Sequence, residues 1–99
     1  MWYLIHGIDL PNSLESRKAH RPAHLARLEA LRDQGRLKLA GPLPAIDAED
    51  PGPAGFTGSV IVAEFGSLAE ANAWAADDPY LAGGVYARVD VSPFRPVLP

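Results

Sequence analysis

"SVIVAEFGSLAEANAWAADD", Ser59 to Asp78, contains the change of period that decides the fold. Its first seven residues, Ser59 to Phe65, are β-branched, aromatic or small but for Glu64, and predict a strand. Gly66 interrupts them. Ser67 and Glu70, three apart, then match a capping box, which marks the start of a helix running through "SLAEANAWAADD". Two aspartates close this helix just before Pro79. A helix C-terminus carries partial negative charge, so a carboxylate there is unfavourable by about 0.3–1 kcal/mol. A neighbouring group that wants a carboxylate would explain it.

Working towards the N-terminus, Trp2 to Ile8 predicts a strand. Trp2, Leu4 and Ile8 fall on one face, with His6 at the same parity, and Tyr3 and Ile5 fall on the other. A strand apolar on both faces is covered on both. "DLPNS" supplies turn chemistry, and Ser13 suits the N-cap of a short helix, "LESRKAH". Pro22 pushes Arg21 out of the helical region, so a break is expected there. A longer helix then runs from Pro22 to about Gln34, with Gly35 as its stop. "RLKLAGPL" is a second strand ended by Gly41 and Pro42, and Pro44 to Gly58 reads as a long loop. Towards the C-terminus, Val85 to Val91 is the fourth strand. It sets Val85, Ala87, Val89 and Val91 against Tyr86, Arg88 and Asp90, and "SPFRPVLP" is extended or irregular.

The order is β-α-β-β-α-β over a single domain, residues 1–99. That is the ferredoxin-like α+β pattern, four antiparallel strands with two helices on one face. The opposite face would expose an apolar patch. A symmetric homodimer, sheet against sheet, resolves this and leaves further assembly open.

The bulk composition narrows the function. At 47% apolar and 21% charged, the chain folds as a soluble domain. A net charge of -3 with no Lys/Arg run excludes a nucleic-acid partner. Cysteine is absent, which removes disulfides, thiol nucleophiles and thiolate metal sites. "MWYLIHG" is neither a leader nor a membrane span, so the cytoplasm is expected and no membrane partner.

Helical spacing then places two side chains. His24, Leu28 and Leu31 share one face of the first long helix, and Ala71, Trp74 and Asp78 share one face of the second. Asp77 turns to solvent. In this topology the helices run antiparallel, so His24 in one first turn lies beside Asp78 in the other last turn. Two readings stay open: a structural hydrogen bond, or a general base whose tautomer the carboxylate fixes. No serine or cysteine nucleophile is paired with them, so acyl transfer is not indicated.

Other signals are weaker. His20 and His24 have the spacing of helical metal ligands, but Pro22 lies between them and no metal is expected. His6 either lines a cavity between sheet and helices or is a core histidine. Gly41 and Pro42 sit where backbone can approach a ligand. Arg17, Arg21 and Asp9 could rim a polar pocket and hold an anion. The loop around Phe56 could form a lid.

In sequence the chain resembles the YciI-like, or YCII-related, family. The blocks that carry the resemblance are "MWYLIHGID", "SLESR", "RPAHLARL", "GRLKLAGPLPA", "DPGPAGFTGS", "AEFGSLAEANAWAADDPY" and "GVYARVDVSPF", in that order over nearly the whole length. The resemblance implies a ferredoxin-like subunit in a dimeric α+β barrel. It also implies an active site built on a histidine and an aspartate, which fall on His24 in "RPAHL" and Asp78 in "DDPY". One such relative removes HCl from a chlorinated hydroxyquinol without metal or organic cofactor. The expectation is therefore a cofactor-independent lyase or isomerase acting on a small hydroxylated compound. Substrate would be shaped by Gly41, Pro42, Arg21, Asp9 and Phe56. The alternative is a ligand-binding or accessory dimer without catalysis.

Overall fold

A computed structural model describes all residues, 1–99. The elements are β1 (Trp2–Asp9), α1 (Leu14–Asp33), β2 (Leu37–Pro44), a 3₁₀ turn (Gly52–Ala54), β3 (Phe56–Glu64), α2 (Leu68–Ala76), α3 (Pro79–Ala82) and β4 (Tyr86–Phe94). The four strands form one antiparallel sheet in the order β2-β3-β1-β4. This is the ferredoxin-like α+β architecture.

Strand parity decides which side chains meet the helices. Tyr3, Ile5 and Gly7 of β1 are buried, with Ile5 opposite Ile61 and Tyr3 opposite Ala63. Tyr3 and Ile5 form the core with Leu28 and Leu31 of α1, Ala71 and Ala75 of α2, and Phe65. Each large aliphatic side chain so buried stabilises the fold by about 1.5–3 kcal/mol. Trp2, Leu4, His6 and Ile8 are only half-buried, on the sheet face away from the helices. His6 stands there opposite Val60 and Asp90. The expectation that it lies between sheet and helices or within the core is thus corrected.

The expected break near Arg21 is absent, and α1 is one helix of 20 residues with Pro22 inside it. A proline in mid-helix removes one hydrogen bond and is unfavourable by about 3 kcal/mol. Here the missing bond would join Pro22 to Lys18, and both residues are exposed, so water can replace it. Arg17, on one side of the proline, and His24, Leu28 and Leu31, on the other, are all buried on the inward face and hold the helix together across it. His24 therefore sits at mid-helix, not in a first turn. Ser13 occupies the N-cap position, but its side chain makes no capping bond and donates instead to Asp9 Oδ2 at 3.1 Å.

The boundaries of β2, β3 and β4 also shift. Gly41 and Pro42 do not end β2 but pair with Val60 and Ser59. An edge strand tolerates proline because its outer N–H has no ladder partner to lose. β3 starts at Phe56, shortening the expected loop, and β4 runs to Phe94, taking in part of the expected tail. Ser67 Oγ caps α2 by accepting from Glu70 N, as the capping box requires, whereas Glu70 Oε2 accepts from Gly66 N. No helix is long and apolar enough to cross a membrane.

Candidate functional site

α2 ends at Ala76, with Asp77 as its C-cap, so Asp78 is not its last turn. Asp78 is instead the N-cap of α3, with Pro79 in the first helical position. Its Oδ1 accepts from the Tyr80 amide at 2.9 Å. The unfavourable placement read from the sequence is thereby removed, because a helix N-terminus favours a carboxylate. Asp–Pro is a readable helix start, and it is the signal that the sequence reading missed.

The same carboxylate meets His24. Nδ1 lies 2.9 Å from Oδ1 and 3.0 Å from Oδ2 of Asp78, and both side chains are buried. A carboxylate accepts, which makes Nδ1 the donor of this bond and leaves Nε2 as the nitrogen turned away from Asp78. Nε2 makes no hydrogen bond within the chain. The imidazole stacks on Tyr80, with ring centroids 3.9 Å apart and planes 7° apart, and meets Tyr86 edge-on at 6.5 Å. Position and tilt of His24 are thus fixed by neighbours.

His24 lines a hollow of about 300 Å³ between α1 and the edge of the sheet, at the small end of ligand sites. Arg21, Gly41, Pro42, Ser59 and Tyr80 line the same end. Arg21, Gly41 and Pro42, expected around a ligand, therefore do share a hollow with His24. Asp9 and Phe56 do not. Asp9 is buried against Arg17, at 2.6 Å from Oδ2 to Nε and 3.1 Å from Oδ1 to Nη2. Arg17 Nη2 also donates to Gly58 O and Ser59 Oγ, each at 2.8 Å. These bonds tie α1 to the sheet and neutralise Asp9; Arg17 nonetheless lines the hollow with His24, as Asp9 does not. Phe56 lies with its centroid 5.2 Å from the Arg17 guanidinium, and the hollows it lines lie on the far side of α1's first turn. Arg21 forms no ion pair and is the unengaged cation beside His24.

Two tyrosines complete the surroundings, and neither was expected from the sequence. Burial raises the Tyr80 hydroxyl above its usual range, with Arg17 and Arg21 pulling it down and Asp78 and Asp9 pushing it up. Burial raises Tyr86 further still, and nearby Ser59 only partly offsets this. The Tyr86 hydroxyl has no hydrogen-bond partner of good geometry. Its ring packs over Gly7, where any Cβ would collide with it. Because α1 is continuous, His20 and His24 do share a helix face, contrary to the break expected at Pro22. No group of three or more potential metal-ligating side chains gathers anywhere in the chain.

A sequence model of the YCII-related domain matches residues 1–95. Protein YciI of Escherichia coli O6:H1 is 59% identical over 97 residues, covering 98% of this chain and 99% of that protein. An uncharacterised protein of Haemophilus influenzae is 55% identical over the same extent. Among solved structures, this fold is similar to 5-chloro-2-hydroxyhydroquinone dehydrochlorinase from Burkholderia phenoliruptrix AC1100, in a complex with 2,5-dihydroxybenzoquinone. That match has a TM-score of 0.82 and 29% identity, over 96% of this chain and 94% of that one. A protein described as an antibiotic biosynthesis monooxygenase from Nitrosomonas europaea shares the fold alone, at a TM-score of 0.54 and 14% identity over 99% of this chain and all of that one.

Proposed function

Since the chain belongs to the YCII-related family, matched along residues 1–95, we propose that it is an acid–base enzyme in which His24 is the base and Asp78 its orienting partner. The observation that carries this reading is the free Nε2 of a histidine held by a buried carboxylate and lining a hollow. An imidazole so held can take a proton from a bound hydroxyl, and the carboxylate stabilises the imidazolium that forms. Arg21, the unpaired cation of this end, favours the oxyanion left on the substrate.

The reaction class is elimination or isomerisation of a small hydroxylated ring. For a chlorinated hydroquinol the balance is simple. Two hydroxyl protons leave oxygen. Nε2 takes the first and returns it to the ring carbon that bears chlorine. It takes the second as chloride departs with its bonding pair. The ring becomes a quinone, HCl is lost, and no outside oxidant enters. The similarity to a dehydrochlorinase supports this class.

The test is a panel of chlorinated and unchlorinated hydroquinols, read by chloride release and quinone absorbance, with wild type and His24→Ala. Turnover in wild type that falls at least about 100-fold in the variant is expected, since general acid–base catalysis contributes about 10²–10⁴-fold. Turnover indifferent to the substitution removes the reading. Binding without turnover across the panel would instead favour a ligand-binding module.

We propose further that the chain is a homodimer through the helix-free sheet face. Trp2, Leu4, Ile8, Leu39, Val60 and Val62 share that face by strand register. Leu39 alone is 51% exposed. These apolar side chains, with His6 and Asp90 beside them, favour a second copy as their cover.

A further inference from the structure

The hollow at His24 continues well past it. Along α1 its wall runs from Arg21 through Leu25 and Leu28 to Arg32. Eight residues of helix separate His24 from Arg32, about 12 Å at 1.5 Å per residue. The facing wall is β2, which runs back antiparallel from Leu37 through Ala40 to Pro42. Five strand steps span about 17 Å. The floor changes character along the way. Ser59 lies under the His24 end, paired with Pro42, and Ile61 lies under the middle, paired with Ala40.

Polarity divides the hollow in two. At one end stand His24, Arg21, Ser59 and Tyr80, which suit a hydroxylated reacting ring. Beyond them lies an arm walled by Leu25, Leu28, Leu37, Ala40 and Ile61. At its rim Arg32 faces Glu29 at 3.8 Å and Asp33 at 3.2 Å. A bare hydroxylated ring would fill only the first part.

We propose that the arm is a binding site for an apolar substituent, so that this chain takes hydroxylated rings bearing an alkyl or aryl side chain. The inference rests on reading the His24 end as the reactive end. The occupant is apolar because the side chains of the arm short of the Glu29 and Arg32 rim are apolar, and an apolar group laid on them is removed from water. It is elongated because the arm follows the helix axis for two turns.

A series of 4-alkylcatechols, from methyl to pentyl, tests this by binding alone. Affinity is measured by calorimetry, and the site is located by methyl-resolved NMR on the full chain. At full burial each methylene tightens binding about fourfold, and a gain of about tenfold or more across the series is expected. 4-Pentylcatechol should shift the methyl signals of Leu25, Leu28 and Ile61. Ala40→Phe, a change at an exposed position of an edge strand, places a ring in the arm and should abolish the dependence on chain length. Methyl signals left unmoved by 4-pentylcatechol, bound elsewhere or not at all, overturn the inference, as does flat affinity along the series. Failure of the acid–base reading shows separately, as turnover unaffected by His24→Ala, with the chain-length dependence of binding intact.

Discussion

Replacing Asp78 separates a catalytic dyad from a structural hydrogen bond, because the residue serves both His24 and α3. Oδ1 accepts from the Tyr80 amide at 2.9 Å and from His24 Nδ1 at 2.9 Å. Asp78→Ala removes an N-cap, worth about 1 kcal/mol. It also strands a buried Nδ1–H, which is unfavourable by about 1–3 kcal/mol. Together these lower stability by about 2–4 kcal/mol, or roughly 8–30 °C in Tm for a domain of this size. Asp78→Asn differs. Asparagine caps as well as aspartate, and its oxygen can still accept from both donors. Its amide nitrogen, however, replaces Oδ2, which lies 3.0 Å from Nδ1. Donor then faces donor, and the imidazolium has lost its counter-charge. The Asp78→Asn variant should therefore melt close to wild type yet turn over about 10²–10⁴-fold more slowly on any substrate the panel identifies. Circular dichroism melts and steady-state kinetics on the two variants provide the comparison. Full activity in Asp78→Asn would refute the reasoning. So would a loss in both variants that merely tracks Tm, since the pair would then be structural.

Arg17→Met leaves Asp9 buried without its counter-charge, and urea unfolding should show a loss of about 3–5 kcal/mol; a loss under about 1 kcal/mol would mean the pair does not anchor α1. Tyr86→Phe deletes a buried hydroxyl without a partner, so unfolding should show stability unchanged or raised by up to about 1 kcal/mol, and a clear loss would reveal a bond to Ser59. Alkaline pH gives a further check. The folded-state pKa values of Tyr80 and Tyr86 are raised above 10.0, so the unfolded chain releases these protons first. Stability is then complete below about pH 10 and falls as pH rises above it. Absorbance in the near ultraviolet, where tyrosinate absorbs, should show these two rings ionising together with unfolding, and their free titration in folded protein would contradict their burial. Finally, Leu39→Glu puts a charge on the helix-free sheet face and should convert a dimer to monomer by light scattering; wild type already monomeric at tens of micromolar would remove the dimer proposal.

Period and punctuation made most of the architecture legible. Apolar, β-branched and aromatic runs gave four strands, and Ser67 with Glu70 gave the start of α2. Pro22 misled because its local effect is real but small beside the packing of Leu28, Leu31 and His24, which keeps α1 continuous. Gly41 and Pro42 read as a terminator because nothing local says that β2 is an edge strand. The juxtaposition of His24 with Asp78 was legible for a partly mistaken reason. Inward spacing on α1 placed the histidine correctly, but Asp78 reaches it from the cap of α3, not from the end of α2. Tyr80 could have been found from "DPY", since a residue two past an N-cap must lie beside it. Asp9 misled because its nearness in sequence to Arg17 and Arg21 suggested a shared rim, whereas its carboxylate is spent on Arg17 beneath the helix.

The state of the His24 ring tests the central proposal most directly. A long-range ¹H–¹⁵N spectrum of the imidazole, taken with and without 2,5-dihydroxybenzoquinone, reports which nitrogen holds the proton and which one a ring compound touches. Protonated Nδ1, bare Nε2, and an Nε2 signal that moves on addition of the quinone are the predicted result. A proton resident on Nε2, with neither nitrogen responding to the quinone, would contradict it.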